Sequence, residues 1–225
     1  MARQQLALGT VTEPSRQTPV FGEYDVVVVG GGPAGIMAAA AAARTGRSAI
    51  LLERYGFLGG AGTAGGLSTF CGLHAKVHGE HVRVIRGLAD ELLDRLERGD
   101  GLAEPHLTIN DGILAQAFDI SRYKLEADRL VTGHGARILF HALAVGIVRR
   151  DEATIDAVVV ETKSGRMAVR GGVFVDASGD GDVAAWAGAP YEVSPGLDGM
   201  LYPSLMFRIN GVDVAAAGDK PWRTA

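Results

Sequence analysis

Three glycines form the stretch of this sequence whose residue types and spacing point most directly to chemistry. Gly30, Gly32 and Gly35 make a GxGxxG pattern between a run of valines and a run of alanines. The first glycine of such a pattern permits a tight turn, the second lets a pyrophosphate approach the backbone, and the third lets a helix pack closely on a strand. Glu53 ends the next apolar run, where an acid can accept hydrogen bonds from a ribose 2′-hydroxyl. The spacing therefore predicts a dinucleotide site.

The elements on either side of the glycines must hold them in place, and the sequence predicts a βαβ unit. Residues 24–29 contain four consecutive valines, which suit a strand buried on both faces. A helix is expected from Pro33 to about Thr45, with Gly46 as its C-terminal stop. Residues 48–52 form the second strand. The helix N-terminus then faces the ligand, where its free N–H groups and its dipole favour an anion.

Two more glycine-rich segments follow predicted strands. The sequence GGAGTAGG at 59–66 comes shortly after Glu53, and DASGDGD at 176–182 follows a strand predicted to be buried at 173–176. Glycine lets a backbone run close to a ligand, and the carboxyl ends of parallel strands form the ligand edge of such a sheet. We therefore expect two ligand-edge loops. A flexible surface loop is the alternative for the first, and helix capping is the alternative role for Asp180 and Asp182 in the second.

A histidine-rich segment lies between these motifs. It holds Cys71, His74, His78 and His81. Their spacing matches no standard zinc site, and glycines interrupt any helix that could align them, so we predict no metal site and expect structural or pocket-lining histidines. Cys71 is the single cysteine, which excludes an internal disulfide and a dithiol redox pair within the chain.

The remaining periodicities predict further helices and strands. Amphipathic spacing predicts a helix over 86–99, and a second helix is expected over 113–133. Its expected core residues are Phe118, Tyr123, Leu125 and Leu130. The other expected elements are a loop at 101–110, a third core strand at 137–140, three short antiparallel strands between 144 and 170 with a tight turn at 163–165, and a strand-like segment at 205–213.

Composition narrows the classes of partner. The formal net charge is −4 and the sequence has no basic block, which disfavours nucleic acid and anionic membrane surfaces. No apolar run approaches the roughly 20 residues that span a bilayer. Residues 1–22 lack the apolar core of a signal peptide and are expected to form an irregular arm. A cytoplasmic protein is the expectation.

Four motifs in order resemble those of a known family. They are GGGPAG at 30–35, Glu53 with Arg54 behind it, GGAGTAGG at 59–66 and DASGDGD at 176–182. In this order, over roughly residues 20–212, the chain resembles the N-terminal FAD-binding part of the FAD-dependent oxidoreductases. These are glutathione-reductase-like flavoproteins with two dinucleotide-binding domains. The resemblance implies FAD as the cofactor.

The resemblance also implies the fold. The fold class would be α/β, a Rossmann-like FAD-binding domain with a central parallel sheet, flanking helices and a small antiparallel β-meander. The expected divisions are an N-terminal arm at 1–22, the FAD-binding domain at 23–190 and the start of an incomplete substrate domain at 191–225. Members of the family are usually much longer, so a C-terminal half or a partner chain would complete the flavin site.

For single residues, the resemblance implies a cofactor cradle. The glycine turn would hold the pyrophosphate, Glu53 the adenosine ribose, and the segment after it would run toward the flavin. Arg54 would line the adenine side, and Ala144 would meet adenine through its backbone. The residues of this cradle are Gly30, Gly32, Pro33, Ala34, Gly35, Glu53, Arg54, Gly59, Gly60, Ala61, Gly62, Thr63, Ala144, Ala177, Ser178, Gly179 and Asp180.

The function implied is oxidation of a small organic substrate, with hydride transfer to FAD. A general base is expected, and His74, His78 and His81 are candidates, but the sequence assigns no catalytic residue. Cys71 is a candidate for covalent flavin attachment; as a lone cysteine, it excludes the chemistry of the superfamily's thiol reductases.

Two alternatives to this function stay open. One is a non-catalytic FAD-binding subunit or a truncated product that needs a partner chain or a homo-oligomer. The other is an NAD-binding or NADP-binding protein, although the charge of Glu53 disfavours a 2′-phosphate.

Overall fold

Helices and strands alternate through much of the chain. The computed structural model describes residues 10–107, 113–193, 199–200, 203–207, 209–213 and 216. The strands are β1 (Val20–Val29), β2 (Ala49–Leu52), β3 (Thr69–Phe70), β4 (His74–Val77), β5 (Glu80–Arg83), β6 (His106–Leu107), β7 (Leu114–Ala117), β8 (Arg137–Leu139), β9 (Leu143–Arg149), β10 (Ile155–Thr162) and β11 (Gly165–Asp176). The helices are α1 (Pro33–Arg44), α2 (Leu88–Arg98), α3 (Ile120–Gly133) and α4 (Asp182–Trp186), with a 3-10 turn at Gly60–Gly62.

A six-stranded sheet in the order β8-β2-β1-β11-β10-β9 forms the centre of the fold. The first four strands are parallel to one another, whereas β10 and β9 are antiparallel to their neighbours. Strands β3, β7 and β6 make a small antiparallel sheet, and β4 and β5 make a hairpin. This architecture confirms the predicted α/β class with a parallel centre and an antiparallel meander.

The hydrophobic core lies on both faces of the parallel strands. Val28 and Leu51 face the helices and share a cluster with Ile36, Leu96 and Leu130 of α1, α2 and α3. Because side chains alternate along a strand, the neighbouring residues of β1 and β2 face the other way. They share a second cluster with residues of the meander: Val27, Val29, Ile50, Leu52, Val158, Val160 and Val169. The prediction of a first strand buried on both faces is confirmed.

Strand β11 differs from the sequence prediction. Two strands were expected, one at 166–172 and a buried one at 173–176, but Gly165–Asp176 is a single strand. It pairs with β1 in parallel and with β10 in an antiparallel manner. Because β11 has both neighbours, the meander is part of the main sheet. Val173 is 57% exposed rather than buried. The first strand also begins earlier than predicted, at Val20, which pairs with Ala168.

The helix expected over 113–133 begins only at Ile120. Residues Leu114–Ala117 form a strand because β3 and β6 pair with them. Asp119 caps the helix by accepting a hydrogen bond from the Arg122 amide at 2.7 Å. The expected core residues Phe118, Tyr123 and Leu130 are buried, but Leu125 is 41% exposed and was wrongly placed in the core.

Other predicted elements agree more closely. Helix α2 buries Leu88, Leu92, Leu93 and Leu96 on one face, as its spacing predicts. The loop expected at 101–110 contains the short strand β6, and its residues 108–110 lie outside the described part of the chain. The tight turn at 163–165 is present, with the Thr162 hydroxyl donating to the Gly165 carbonyl oxygen at 2.8 Å.

The segment at 205–213 is not a strand in its described residues. Residues 205–207 and 209–213 carry no regular structure, and Arg208 lies outside the described part, as do residues 1–9 of the arm and 217–225. Leu205 and Phe207 are 86% and 76% exposed. Among the described residues, no helix is long and apolar enough to cross a membrane.

Candidate functional site

The first glycine turn lies where β1 ends, in close contact with the backbone around it. Gly30 has φ +100, and a Cβ atom there would lie 2.2 Å from the carbonyl oxygen of Ala177. A Cβ at Gly35 would lie 1.8 Å from the carbonyl oxygen of Gly30. No other residue fits these two positions, so the tight turn and the close approach of helix to strand predicted from the sequence are confirmed.

Gly32 is different, because the protein itself leaves room for a side chain there. Its φ is −72 and ψ −178, and among the described residues a Cβ would meet only the Cα of Gly60, at 3.9 Å. Gly32 is also the N-cap of α1 and therefore supplies no capping side chain. Pro33 at the first helical position has no N–H, so the amides of Ala34 and Gly35 come next at this end of the helix. The space beside Gly32 is thus open and faces a helix N-terminus.

Glu53 is a buried acid, 5% exposed, at the end of β2. Its Oε2 accepts a hydrogen bond from the Gly31 amide and its Oε1 accepts one from the Tyr55 amide, both at 2.7 Å. A carboxylate has roughly four acceptor positions, so capacity remains for a hydroxyl. Sequence reasoning missed Gly31, where a Cβ would lie 2.7 Å from Oε2 of Glu53. The middle glycine of the run GGG at 30–32 was its signal.

The segment at 59–66 lies against the first glycine turn. The Gly59 amide donates to the Gly31 carbonyl oxygen at 2.8 Å, and a Cβ at Gly60 would lie 2.8 Å from the Cα of Gly32. The Thr63 hydroxyl donates to the Leu58 carbonyl oxygen at 2.8 Å. The segment is therefore a bonded loop beside Gly32, and the side chain of Thr63 points into the protein.

The loop after β11 reaches the same edge of the sheet. The Ala177 amide donates to the Val29 carbonyl oxygen at 2.8 Å. Asp176 organises the loop, because its Oδ1 accepts from the Ser178 hydroxyl at 2.6 Å and its Oδ2 accepts from the Ala184 amide at 2.9 Å. Burial alone would raise the pKa of Asp176, but its hydrogen bonds with Ser178 and Ala184 hold that pKa below the usual value.

Helix capping by Asp180 or Asp182 is not observed. Gly181 is the N-cap of α4, which has no side-chain cap, and Asp182 lies in the first turn. The Asp182 amide instead donates to the Ser178 hydroxyl oxygen at 3.0 Å. The hydroxyl of Ser178 is thus used in hydrogen bonds within the loop, while Gly179 and Asp180 are exposed.

Of the two residues expected near adenine, Arg54 directly follows Glu53 in the chain, and Ala144 lies two residues after Ala142, which contacts Glu53. The Arg54 guanidinium lies 4.9 Å from the centre of the Tyr55 ring. Ala144 is half-buried in β9, opposite Val160. The closer contact comes from Ala142, whose amide donates to the Glu53 carbonyl oxygen at 2.9 Å.

The candidate histidines belong to the hairpin of β4 and β5. His74 and His81 lie on one face of it, two residues apart in register, and His78 is in the turn with φ +52. Burial lowers the pKa of His74, and the positive charges of Arg83 and Arg86 lower it further. Within the described residues, no group of three or more histidine, cysteine and acidic side chains is placed to hold a metal ion.

A cavity of about 380 Å³ lies beside the glycine turn. Three of the predicted cradle residues, Pro33, Ala61 and Gly62, contribute to its wall, together with Met37 of α1. The cavity is therefore lined by Pro33, the residue that follows Gly32 in the chain.

A family model described as FAD dependent oxidoreductase matches residues 25–225. The chain belongs to the FAD-dependent oxidoreductase family. FAD is the cofactor of this family, which confirms the choice of FAD over NAD made from the motifs.

The family assignment agrees with individual relatives. Soluble pyridine nucleotide transhydrogenases of Mycobacterium bovis and Mycobacterium tuberculosis are 31% identical over 206 residues, which is 85% of this chain and 42% of theirs. A dihydrolipoyl dehydrogenase of Trypanosoma brucei brucei is 55% identical over 42 residues, 19% of this chain and 9% of that protein. This family member thus spans less than half the length of the curated relatives it matches.

A solved structure supports the fold of this FAD-dependent oxidoreductase chain. The geranylgeranyl bacteriochlorophyll reductase-like protein of Thermoplasma acidophilum has a TM-score of 0.55 and 19% identity, with coverage of 74% of this chain and 42% of that one. At this identity the likeness extends to the fold alone.

Proposed function

We propose that this chain is the FAD-binding part of an oxidoreductase that takes a hydride from a small organic substrate. The observation that carries the proposal is Gly32, where the protein leaves space for a side chain, and yet the residue is glycine. A ligand that approaches the backbone at this point explains the choice of glycine, and the residues around it fit the pyrophosphate of FAD.

The helix end supports this placement of the pyrophosphate. Helix α1 starts without a capping side chain, and the amides of Ala34 and Gly35 lie in its first turn. A helix of 12 residues also presents the positive end of its dipole here. Together with the open space at Gly32, these amides would bind the negative charge without a lysine or an arginine.

Glu53 would bind the ribose. Its carboxylate is held by the amides of Gly31 and Tyr55, so its orientation is fixed before any ligand arrives. The remaining acceptor positions suit ribose hydroxyls, and its negative charge repels a 2′-phosphate. We assign Arg54 and Ala144 to the adenine side, and the loops at Gly59–Thr63 and Ala177–Asp180 to the rest of the cofactor.

FAD when bound supplies the hydride acceptor, and the protein supplies position and water exclusion. The chain offers His74 as a proton acceptor, because burial and the positive charges of Arg83 and Arg86 lower its pKa and so favour the neutral imidazole. His78 lies in a turn and suits this role less well. We leave the catalytic base open among His74, His78 and His81.

We propose further that the active site is completed by protein beyond the described residues. Two observations support this: the curated relatives are more than twice as long, and Leu205, Phe207 and Ile209 expose 66% or more of their surface. A C-terminal half, a partner subunit or a second copy would cover these side chains. We keep the division into an FAD-binding domain at 23–190 and the start of a substrate domain at 191–225 as part of the proposal. The single unpaired cysteine suits a reducing compartment, and a cytoplasmic location is part of the proposal.

Substitution of Gly32 by valine tests the assignment of the cofactor site. Because the described residues leave open space at this position, Gly32→Val should fold normally, with a melting temperature close to that of the parent chain freed of its flavin. Its side chain would occupy the space of the pyrophosphate, so the purified variant should lose its bound flavin absorbance. Gly146→Val is the matched control, since within the described part of the chain a Cβ there also has open space around it.

The outcomes separate clearly. A folded Gly32→Val protein that keeps its flavin would show that the turn does not hold the pyrophosphate. If the parent chain carries no flavin and binds NADH instead, the assignment of FAD to this chain is wrong.

A further inference from the structure

The cavity beside the glycine turn has the size of a small-molecule site. Its volume of about 380 Å³ falls within the roughly 300–1,000 Å³ of ligand pockets. Helix α2 forms one wall with Ala89, Leu92 and Leu93, and Cys71 lies on the wall formed by the segment after β3. None of this belongs to the Rossmann motif itself.

Among the described residues, the wall of the cavity carries no charged side chain. Its hydroxyl and thiol side chains are those of Thr69, Cys71 and Tyr123, and the other described lining residues are aliphatic, aromatic, methionine, proline or glycine. A charged ligand would lose its hydration here without gaining an ionic partner, which disfavours its binding. The chemistry of the wall therefore selects an uncharged, mostly apolar ligand.

An aromatic cluster gives one side of the cavity a rigid surface. The Phe70 ring lies 4.2 Å from that of Phe118 and 5.4 Å from that of Tyr123, centre to centre. The Tyr123 hydroxyl is buried and has no hydrogen-bond partner among the described residues, and burial raises its pKa to about 12. This wall stays neutral at any ordinary pH and offers ring faces and edges to a planar ligand.

The cavity also borders the cofactor cradle. Pro33, Ala61 and Gly62 line the cavity and belong to the residues assigned to FAD above. A molecule in the cavity would therefore lie next to the cofactor site rather than at a remote pocket.

We propose that this cavity binds the uncharged apolar part of the substrate, a group of about the size of one or two fused rings. That the ligand is the substrate rests on the proposed function. That the cavity binds an apolar ligand rests on the cavity alone. It narrows the substrate from any small organic molecule to one with an apolar ring system or a branched aliphatic group.

The test uses the purified flavin-bound protein and naphthalene as the probe, with 2-naphthoate as its charged counterpart. Calorimetry should show saturable binding of naphthalene and at least ten-fold weaker binding of 2-naphthoate. Naphthalene should also raise the melting temperature, because a ligand that binds the folded state stabilises it. The flavin absorbance should stay with the protein throughout.

Two cavity-filling variants locate the binding. Ala89→Phe fills the cavity from α2, and Cys71→Phe fills it from the opposite wall, where the exposed cysteine tolerates a larger side chain. Each should weaken naphthalene at least ten-fold and keep the flavin. Glu97→Phe is the control, because it adds the same ring to the exposed face of the same helix.

Three results would overturn the proposal. They are no saturable binding of naphthalene, equal binding by the folded cavity-filling variants and the control, and release of flavin by naphthalene, which would make the cavity the cofactor's own space. If the protein holds no flavin at all, the proposed function fails, yet the same titration of the cofactor-free protein still decides whether the cavity binds.

Discussion

Two loops meet at the carboxyl edge of the sheet, and the protein holds them by different means. In the turn after β1, Gly30 and Gly35 are fixed by space, because a Cβ atom would lie 2.2 Å or less from a backbone oxygen. In the loop after β11, no atom of the described residues lies within 4 Å of a Cβ at Gly179 or Gly181, and both have positive φ. The first loop requires glycine because a side chain would collide with the backbone. The second requires glycine because of its backbone angle alone.

In the second loop, hydrogen bonds take the place of close packing. There the carboxylate of Asp176 binds the Ser178 hydroxyl and the Ala184 amide, and so ties the strand end to α4. In the first loop, Glu53 has the role that Asp176 has in the second, because its carboxylate, at the end of the neighbouring strand, accepts a hydrogen bond from the Gly31 amide. One acid per loop thus positions a backbone, but only the first loop combines this with close packing.

The largest effect should come from Gly35→Ala. Its methyl group would lie 1.8 Å from the carbonyl oxygen of Gly30, and a backbone atom cannot move aside as a flexible side chain can. We expect a loss of roughly 3 kcal/mol or more in the free energy of unfolding, measured by urea denaturation. Gly146→Ala is the control and should change little. A stable Gly35→Ala protein would remove the contrast between the two loops.

A smaller loss is expected for Asp176→Asn. The amide keeps one acceptor oxygen but turns an NH₂ group toward one of the donors, the Ser178 hydroxyl or the Ala184 amide. Leaving one such group unsatisfied costs roughly 1–3 kcal/mol, again measured by urea denaturation. The matched change Asp182→Asn, in the same loop, should cost much less because no capping bond uses that side chain. Equal losses in both variants would show that Asp176 does not organise the loop.

The same carboxylate predicts a dependence on pH. Burial would raise the pKa of Asp176, but its hydrogen bonds outweigh burial and lower it. A group with a lowered pKa in the folded state stabilises it above the unfolded value, near 3.9, and loses this contribution as pH falls through the folded value. The stability gap between the parent protein and Asp176→Asn should therefore narrow below about pH 4. A gap that stays constant down to pH 2 would contradict the role of the charge.

Local patterns were sufficient to predict the centre of the fold. The strand, turn and helix from Val26 to Arg44 follow from valine runs, glycine spacing and a proline at the first helical position, all of which act within a few residues. Helix α2 follows in the same way from its leucine spacing.

Long-range pairing explains the errors. Leu114–Ala117 has the composition of a helix, but two other strands pair with it and decide its conformation. The single strand β11 likewise depends on β1, which lies about 140 residues earlier and continues the pairing past Gly171 and Gly172. The contact of Gly31 with Glu53 joins two strands, so the motif alone could not indicate it.

The smallest expected effect, in Gly181→Ala, isolates the backbone angle in the second loop. Gly181 has φ 73 and ψ 29 and open space around it, so alanine adds no contact and only the cost of the left-handed conformation. That cost is roughly 1 kcal/mol, and asparagine, which tolerates this conformation better, should recover part of it. Urea denaturation of Gly181→Ala and Gly181→Asn beside Gly35→Ala measures the difference between angle and contact directly. Because no atom obstructs position 181, a loss as large as that of Gly35→Ala would mean that the second loop is packed as tightly as the first.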